Sequence, residues 1–432
     1  MVEVLGNNFP YLTLSISVVQ FIVAIMVVLI LILSRLAVMV WTRRGLPEIP
    51  VESLEDFPVS IVIPTWNEEL IIEAKLNDVE SQSYPAGLLE VIIIDANSDD
   101  STVQISKDWI RENGPSSTKK YRIIEEESRL GKSYSINRAF HDASSESKIL
   151  MMSDVDCRLC EGAFERVAMW FNDRNIGAVT GRQVLINHEK SLQVAQEEDY
   201  RDFYTKLRIA ESCLDSTPIF HGECAAYRRE AIANFQLIED SNADDSQMAL
   251  AARKSGFRAI YDPELTFFEM APPDSKSSRI QKVRRAQGLV RHFWRNKSLV
   301  VNNSMGGFRK VLALEFSLHI LLPLLVALGF LVGFTHLGLL AYDSRLSTEG
   351  LVSLPPMELS MIFADAFVAM LLVCGYLRIP IPASNLSLSF FKYMITLFEA
   401  QILAALGKSL HRWQQVSAVR LALMDHDLGK DD

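Results

Sequence analysis

Residues 11–33 form an uncharged and almost wholly apolar segment, and no other feature constrains the fold of this chain more strongly. A helix of about 20 such residues crosses the hydrocarbon core of a bilayer. The segment is too long for the core of a signal peptide, and no small-residue cleavage site follows it. Basic residues at Arg35, Arg43 and Arg44 place its carboxyl end in the cytoplasm. We therefore predict a permanent membrane helix within residues 1–44, with the N-terminus outside and the following polar region inside the cell.

The composition excludes several classes of protein. Of the 432 residues, 49% are hydrophobic and 22% are charged, and the mean hydropathy is +0.13, which excludes a disordered or fibrous chain. The net charge of −10 argues against a nucleic-acid partner, because binding to phosphates needs a basic surface. The five cysteines show no disulfide framework, and Cys157 and Cys160 alone do not complete a structural zinc site.

Three further apolar segments lie towards the C-terminus, at 316–342, 359–377 and 386–406. The second contains Asp365, which we expect to face other helices. The third contains Lys392 and Glu399 and precedes a basic tail. Two alternatives stay open for this third segment, because it either crosses the bilayer or lies in the interface as an amphipathic helix. We predict membrane or interfacial helices over 311–407 and a cytoplasmic tail over 408–432.

Between about residues 56 and 275 the sequence is typical of one soluble domain. Short apolar runs at 59–64, 89–94, 148–152 and 259–261 predict buried strands that alternate with helices. Strands that are apolar throughout indicate an α/β fold with a mostly parallel sheet covered on both faces. Ligands bind such sheets beyond the carboxyl ends of the strands. Thr65, Glu68 and Asp95 fall there, within a predicted domain of residues 45–275.

Charged residues follow the third strand and precede two of the helices. Asp154 and Asp156 are separated by one residue, and paired carboxylates after a strand suit Mg²⁺ or Mn²⁺ bound together with substrate phosphates. Lys132 precedes a helix, where a cation could meet a diphosphate. The acidic run 239–245 leads into another helix, and a carboxylate there, beside a metal–diphosphate site, could act as a general base.

Taken in order, these motifs resemble those of membrane-bound glycosyltransferase family 2, which includes cellulose synthases, hyaluronan synthases and related lipid glycosyltransferases. The resemblance covers about residues 59–295 and rests on Pro-Thr-Trp-Asn-Glu at 64–68, an Asp- and Ser-rich run at 95–102, Gly-Lys-Ser at 131–133, Asp-Val-Asp at 154–156, Ala-Asp-Asp at 243–245 and Gln-Lys-Val-Arg-Arg at 281–285. It implies a cytoplasmic GT-A domain, Rossmann-like, flanked by transmembrane and interfacial helices. It also implies an inverting transfer from a nucleotide-diphosphate sugar, for which we expect a UDP-sugar.

The resemblance assigns donor-binding roles to five residues. Thr65, Glu68 and Asp95 would hold the nucleoside. Lys132 and Asp154 would lie at the nucleotide and its diphosphate.

The same resemblance assigns the metal, the base and a substrate motif. Asp156 would be the principal metal ligand beside Asp154, and Asp245 would be the catalytic base. Gln281, Arg284 and Arg285 would form the family motif Gln-x-x-Arg-Trp at the substrate, with Arg285 in the place of the Trp.

Two departures from the family pattern fall on the acceptor side. Arg285 replaces an aromatic residue on which processive relatives pack a sugar ring, and an Arg could instead contact an anionic group such as a lipid phosphate. The run Phe-His-Gly-Glu-Cys at 220–224 also differs from the small, polar segment of the family. An amphipathic helix at 280–297, within an interfacial segment 276–310, would hold the site at the level of the lipid headgroups.

These observations favour a cell-membrane enzyme that transfers sugar from a UDP-sugar to a lipid or lipid-linked acceptor at the cytoplasmic leaflet, using Mg²⁺ or Mn²⁺. A processive polysaccharide synthase is the runner-up. Three or four spans are few for a polymer channel, unless two chains pair as a homodimer. A non-catalytic membrane scaffold and, more weakly, a metal-dependent phosphotransferase complete the set of functions that the sequence leaves open.

Overall fold

The structure is a computed structural model, and it describes residues 2–50, 55–186, 192–239, 242–270, 275–341, 350, 354–377, 379, 381, 383–408 and 417–428. Asp240 in the predicted acidic run and residues 409–416 of the predicted tail lie outside the described residues.

The region between the first apolar helix and the C-terminal apolar helices is built on one mixed sheet. Among the described residues its strands are β1 (Val59–Thr65), β2 (Leu89–Asp95), β3 (Lys120–Glu125), β4 (Ile149–Met152), β5 (Cys157–Leu159), β6 (Ile176–Leu185), β7 (Ala225–Arg228) and β8 (Arg258–Glu269), in the order β3-β2-β1-β4-β7-β6-β8-β5. β1 pairs in parallel with β2 and β4, β2 with β3, and β6 with β8, whereas β7 runs antiparallel to both β4 and β6. The predicted α/β fold with a mostly parallel sheet is confirmed.

The helices are numbered along the chain. They are α1 (Val2–Trp41), α2 (Ile72–Ser81), α3 (Thr102–Asn113), α4 (Lys132–Asp142), α5 (Ala163–Phe171), α6 (Leu192–Leu214), α7 (Arg229–Ile232), α8 (Asp244–Lys254), α9 (Ser275–Arg295), α10 (Phe308–Phe316), α11 (Leu322–Leu340), α12 (Pro356–Tyr376), α13 (Ser384–Ala405) and α14 (Ser417–Leu428).

The central strand β1 explains why helices cover both faces of the sheet. All seven of its residues are buried, and successive side chains of a strand point to opposite faces. Ile61 and Ile63 enter one hydrophobic core with α2 and α5, and Val62 enters a second core with α4 and α8. The sheet therefore lies between two helical layers.

Within the residues that the structure describes, four helical segments are long and apolar enough to cross a membrane, by length and composition: Tyr11–Arg44, Phe308–Leu340, Pro356–Tyr376 and Ser384–Ala405. Large apolar side chains on α1, among them Ile25, Leu29 and Ile32, are exposed, as expected for a helix surrounded by lipid. Asp365 on α12 accepts hydrogen bonds from Gln20 Nε2 at 2.8 and 2.9 Å. The expectation that Asp365 faces another helix is confirmed.

The last of these segments, α13, lies alongside α9. Arg279 on α9 pairs with Glu399 on α13 at 2.7 Å. Farther along both helices, Gln287 Nε2 donates to the Lys408 carbonyl at 2.7 Å and Arg291 donates to it at 3.0 Å. The charged Glu399 thus faces a cationic helix. The predicted divisions after residues 44, 275, 310 and 407 stay predictions.

Candidate active site

The carboxyl ends of β1 and β2 bring two of the predicted nucleoside ligands together. Thr65 Oγ1 donates to Asp95 Oδ1 at 3.1 Å. Ser98 donates to the same carboxylate through its backbone N–H, at 2.8 Å, and its hydroxyl, at 2.6 Å. The turns that follow the strands place Asn67 and Asn97 at φ values of 56° and 57°, a left-handed conformation that Asn tolerates better than most residues. The Asp95 carboxylate is therefore held rigidly at the strand end.

A small cavity lies next to Thr65. Its walls include Trp66, Arg129 and Gly131, and the Arg129 guanidinium stacks 3.3 Å from the centre of the Trp66 ring. Gly131 has φ 115°, a conformation open to glycine and strained for other residues. It is the residue immediately before α4. That turn directs Lys132, the first residue of α4, towards the strand ends.

Lys132 and Asp154 meet where α4 begins and β4 ends. Lys132 Nζ lies 2.7 and 2.8 Å from the two Asp154 oxygens and 3.7 Å from Asp244. Burial lowers the pKa of Lys132, but the attraction of Asp154 and Asp244 outweighs it, so the pKa lies above the usual range. Lys132 is thus a permanent cation at the predicted diphosphate position.

The turn that carries Asp154 and Asp156 is held from beneath by a buried lysine. Lys75 Nζ on α2 donates to Ser153 Oγ at 2.9 Å and to the Cys157 carbonyl at 3.0 Å, and it pairs with Asp78 at 3.2 Å. Ser153 and Cys157 flank the two aspartates, so Lys75 sets the shape of this turn.

Asp156 and Glu68 are joined by a residue that sequence reasoning missed. Arg420 on α14 donates from Nε and Nη2 to the Glu68 oxygens at 3.0 and 2.9 Å. Its Nη1 lies 3.0 Å from Asp156 Oδ2. The basic character of the tail does not by itself point to this contact. The i, i+4 spacing of Val419 and Leu423 was the available signal for an amphipathic helix there.

The carboxylates at the end of β4 suit a divalent cation that is shared with a substrate. Burial raises the pKa of Asp154 against the pull of Lys132, and the neighbouring Glu223 and Asp156 raise it further. The pKa of Asp156 is instead lowered, because the charges of Arg420, Arg285 and Lys132 outweigh its burial. Within the described parts of the chain, no three His, Cys, Asp or Glu side chains are grouped to hold a metal ion. Two carboxylates with phosphate and water oxygens are what Mg²⁺ sites commonly use. The residues present therefore fit Mg²⁺ or Mn²⁺ bound together with a diphosphate.

A larger cavity of about 240 Å³ adjoins this site. One wall carries Lys132, Asp154, Asp244 and Asp245, and Asp245 lies in the first turn of α8. Burial, and then the charges of Asp244 and Glu223, raise the pKa of Asp245 to about 8. The predicted base and the predicted diphosphate ligands therefore face one space.

Other lining residues of this cavity come from α6, α9 and the segment before β7. Arg208, His221, Arg284 and Arg285 line it, and the Arg208 guanidinium is hydrogen-bonded to His221 Nε2. The sequence motifs assign no role to Arg208 or His221, although His221 lies in the run 220–224 that departs from the family pattern. The cavity is therefore lined by cationic as well as acidic groups.

The three motif residues on α9 have different surroundings. Arg285 pairs with Glu223 at 2.8 Å and with Glu269 at 3.4 Å. The Arg284 guanidinium makes no ion pair with any described residue, and burial together with the Arg285 charge lowers its pKa to about 10. Gln281 is half-buried and does not line either cavity. Arg284 is thus the motif residue most available to an anionic substrate.

The sequence matches two descriptions of one group of transferases. Residues 60–235 match "Glycosyl transferase family 2", and residues 149–377, just over half of the chain, match "Glycosyl transferase family group 2".

Curated relatives include two kinds of synthase. The probable glycosyltransferase YdaM of Bacillus subtilis is 26% identical over 262 residues, 55% of this chain and 56% of that protein. The beta-monoglucosyldiacylglycerol synthase of Trichormus variabilis is 27% identical over 159 residues, 36% of this chain and 30% of that protein. The hyaluronan synthase of Streptococcus pyogenes is 26% identical over 181 residues, 41% of this chain and 42% of that protein. The match thus covers about half or less of each relative's length.

Among solved structures, the mannosyltransferase PcManGT from Pyrobaculum calidifontis, in complex with GDP-Man and Mn²⁺, superposes with a TM-score of 0.71. The match covers 93% of this chain and 100% of that one, at 24% sequence identity. This similarity concerns the fold, and it agrees with the predicted GT-A domain with flanking helices.

Proposed function

Because the chain belongs to glycosyltransferase family 2, we propose that it is an inverting, metal-dependent enzyme that transfers a sugar from a nucleotide-diphosphate sugar to a lipid or lipid-linked acceptor at the cytoplasmic leaflet. The observation that carries this proposal is the single cavity that Asp245 shares with Lys132 and Asp154. It puts a candidate base within the same space as the candidate diphosphate ligands.

The donor would lie along the strand ends. Thr65, Glu68 and Asp95 would bind the nucleoside, and Lys132 would meet the diphosphate with its ammonium group. Asp154 and Asp156 would hold the Mg²⁺ or Mn²⁺ ion. When bound, the cation neutralises negative charge on the leaving diphosphate.

Asp245 would carry the proton transfer. Its carboxylate takes the proton of an acceptor hydroxyl as that oxygen forms a bond to the anomeric carbon. The bond from the anomeric carbon to the diphosphate oxygen breaks on the opposite face, which inverts the configuration. The nucleoside diphosphate leaves towards Lys132, whose positive charge stabilises it.

The acceptor would enter from the arginine-lined wall. Phe220 and Leu289 add apolar surface to this part of the cavity, and Arg284 offers a cation to an anionic group. Relatives of this chain include a glycolipid synthase and a polysaccharide synthase, so a lipid and a polysaccharide are both candidate acceptors. The Arg at position 285, in place of an aromatic platform for sugar, favours the lipid acceptor over a growing polysaccharide.

The contact between Arg420 and Glu68 also supports a membrane topology. It puts α14 and the catalytic domain on the same side of the bilayer, so the chain between them must cross an even number of times. Crossings by α10–α11 and by α12 satisfy this condition. An interfacial position of α13 is then favoured, and the pairing of Arg279 with Glu399 supports it, since it places the charge of α13 beside the cationic α9.

The test is a nucleotide-release assay on the purified full chain in native lipid extract, with panels of UDP- and GDP-sugars and with Mg²⁺ or Mn²⁺. Products are identified by mass spectrometry. A discrete glycolipid one or two hexoses heavier than its lipid supports the proposal, and a high-mass ladder supports a processive synthase. Transfer of phosphate without sugar would identify a phosphotransferase. If the parent protein releases nucleotide no faster than the Asp245→Asn variant with every donor, the result supports a non-catalytic scaffold.

A further inference from the structure

We propose that Arg420 is a positioning residue of the donor site, supplied by the C-terminal helix α14, which holds Glu68 and Asp156 in the geometry that binds the metal–nucleotide complex. This inference rests on the proposed function, because the metal and nucleotide roles of the two carboxylates belong to it. It adds a segment of the chain, 417–428, that lies outside the family-type motifs of residues 64–285.

One guanidinium group contacts two carboxylates that follow different strands. Glu68 follows β1 and Asp156 follows β4, and Arg420 reaches both at 2.9–3.0 Å. Two parallel N–H bonds to Glu68 form a bidentate pair, which fixes direction as well as distance. The remaining nitrogen, Nη1, contacts Asp156 through Oδ2. A carboxylate that is held through one oxygen can present the other to a cation.

The pairing of Arg420 with Glu68 and Asp156 is important because all three side chains are buried. Glu68 is 0% exposed, Arg420 4% and Asp156 8%. A buried carboxylate that loses its cationic partner is poorly solvated and moves towards water or another donor. Without Arg420, Glu68 and Asp156 would also repel each other across the donor site. We therefore expect loss of Arg420 to displace a predicted metal ligand.

The helix that carries Arg420 is packed into the domain. Val419 and Leu423, one turn apart, belong to the same hydrophobic core as Ile61 and Ile72. Leu421 faces the opposite direction and is 52% exposed. An element anchored in the core beneath β1 holds its side chains in a constant position, which is what a positioning residue requires.

The experiment measures Mn²⁺ binding to the full chain by the electron paramagnetic resonance signal of free Mn²⁺, with UDP and with GDP as probes. Arg420→Gln removes the charge at nearly constant volume. It should weaken nucleotide-dependent Mn²⁺ binding about 10- to 100-fold, the usual effect of losing a group that orients a metal ligand. Arg420→Lys keeps the positive charge but lacks the planar guanidinium that donates two parallel hydrogen bonds. It should recover part of the Mn²⁺ affinity. Leu421→Ala, on the exposed side of the same helix, should match the parent.

A second variant tests whether Arg420 acts through Glu68. Glu68→Gln removes the charge that Arg420 balances, so the double variant Glu68→Gln/Arg420→Gln should bind Mn²⁺ about as weakly as the worse single variant. Additive losses would overturn the inference. Melting temperature and gel-filtration profile identify any variant that does not fold, and Arg420→Lys then decides the question.

The remaining outcomes separate this inference from the proposed function. If Arg420→Gln binds Mn²⁺ as the parent does, Arg420 has no positioning role and the proposed function stands. If it binds more tightly, Arg420 competes with the cation and the inference is wrong in sign. If the parent binds no Mn²⁺ with either nucleotide, the metal-dependent reaction itself is refuted, and this inference with it.

Discussion

Arg285 and Glu223 form an ion pair of 2.8 Å, and they lie at the two places where this chain departs from the family pattern. Arg285 stands where the family has Trp, and Glu223 belongs to the altered run before β7. Glu223 is 6% exposed and the second partner, Glu269, is 4% exposed. The two residues therefore compensate each other in charge and form an ionic surface beside the cavity.

The first prediction concerns this pair. Arg285→Trp, which restores the family residue, should destabilise the protein because it leaves two buried carboxylates facing each other. Glu223→Gln in the same chain should recover part of the loss, with a coupling of about 0.5–3 kcal/mol between the two sites. Chemical denaturation in detergent measures both. Arg279→Ala, which breaks a more exposed ion pair on the same helix, should change stability by less than about 1 kcal/mol.

The second prediction concerns the base. Asp245→Asn should lower the rate of sugar transfer by about 10²–10⁴-fold, the usual contribution of a general base. The affinity for the nucleotide–metal complex should stay near that of the parent, because the base acts in the transition state. Steady-state rates and nucleotide binding on the same preparation separate the two effects. Turnover close to that of the parent would remove Asp245 from its assigned role.

The third prediction concerns pH. The pKa of Asp245 is raised to about 8 by burial and by Asp244 and Glu223. Below this value the carboxyl is protonated and cannot accept a proton, so kcat/KM should rise by about tenfold per pH unit and level off above the pKa. A bound cation nearby would move the midpoint downwards.

Rates measured between about pH 6 and about pH 9 at constant free metal test this third prediction. An aspartate with its ordinary pKa of about 3.9 would already be ionised over that whole range. Glu223→Gln removes one of the repelling charges, so it should shift the midpoint to lower pH. A rate that does not vary over this range would contradict the assignment of Asp245 as a base with a raised pKa.

The fourth prediction concerns the metal. Asp156→Ala should weaken Mn²⁺-dependent donor binding, because it removes the principal oxygen ligand proposed for the cation. Calorimetric titration with nucleotide in the presence and absence of Mn²⁺ measures the effect. Asp202→Asn, an exposed carboxylate on α6, is the matched control. Donor affinity that is unchanged in Asp156→Ala and independent of metal would exclude the assigned role.

The fifth prediction concerns topology. If α13 lies in the interface, as proposed, single cysteines at Lys254 and Lys408 should react with a membrane-impermeant maleimide from the same side of sealed vesicles. A cysteine at Gly350, between α11 and α12, should react from the opposite side. Cys160→Ser removes the half-buried native thiol from the background. Labelling of Lys408→Cys from the same side as Gly350→Cys would mean that α13 crosses the bilayer.

The strand ends show how much of the site could be predicted from the sequence. Thr65, Asp95 and Asp154 each follow an apolar run, and parallel strands bring their carboxyl ends to one edge of a sheet. That local rule sufficed for the fold and for the edge at which these residues gather. The strands β3, β5, β6 and β7 were missed, because they are short or of mixed polarity and have no clear period of their own.

The sequence by itself determined the apolar strands and apolar helices, and with them the α/β domain, its candidate membrane helices and the edge at which its acidic residues gather. Only the tertiary structure decided which charges meet there. Arg420 pairs with Glu68, which lies 352 positions away in the chain. Arg285 pairs with Glu223, which lies 62 positions away. Periodicity records which face of an element is buried, but a pairing between distant charges depends on how whole elements pack. The partners of these buried carboxylates are therefore a property of the fold, and no local pattern specifies them.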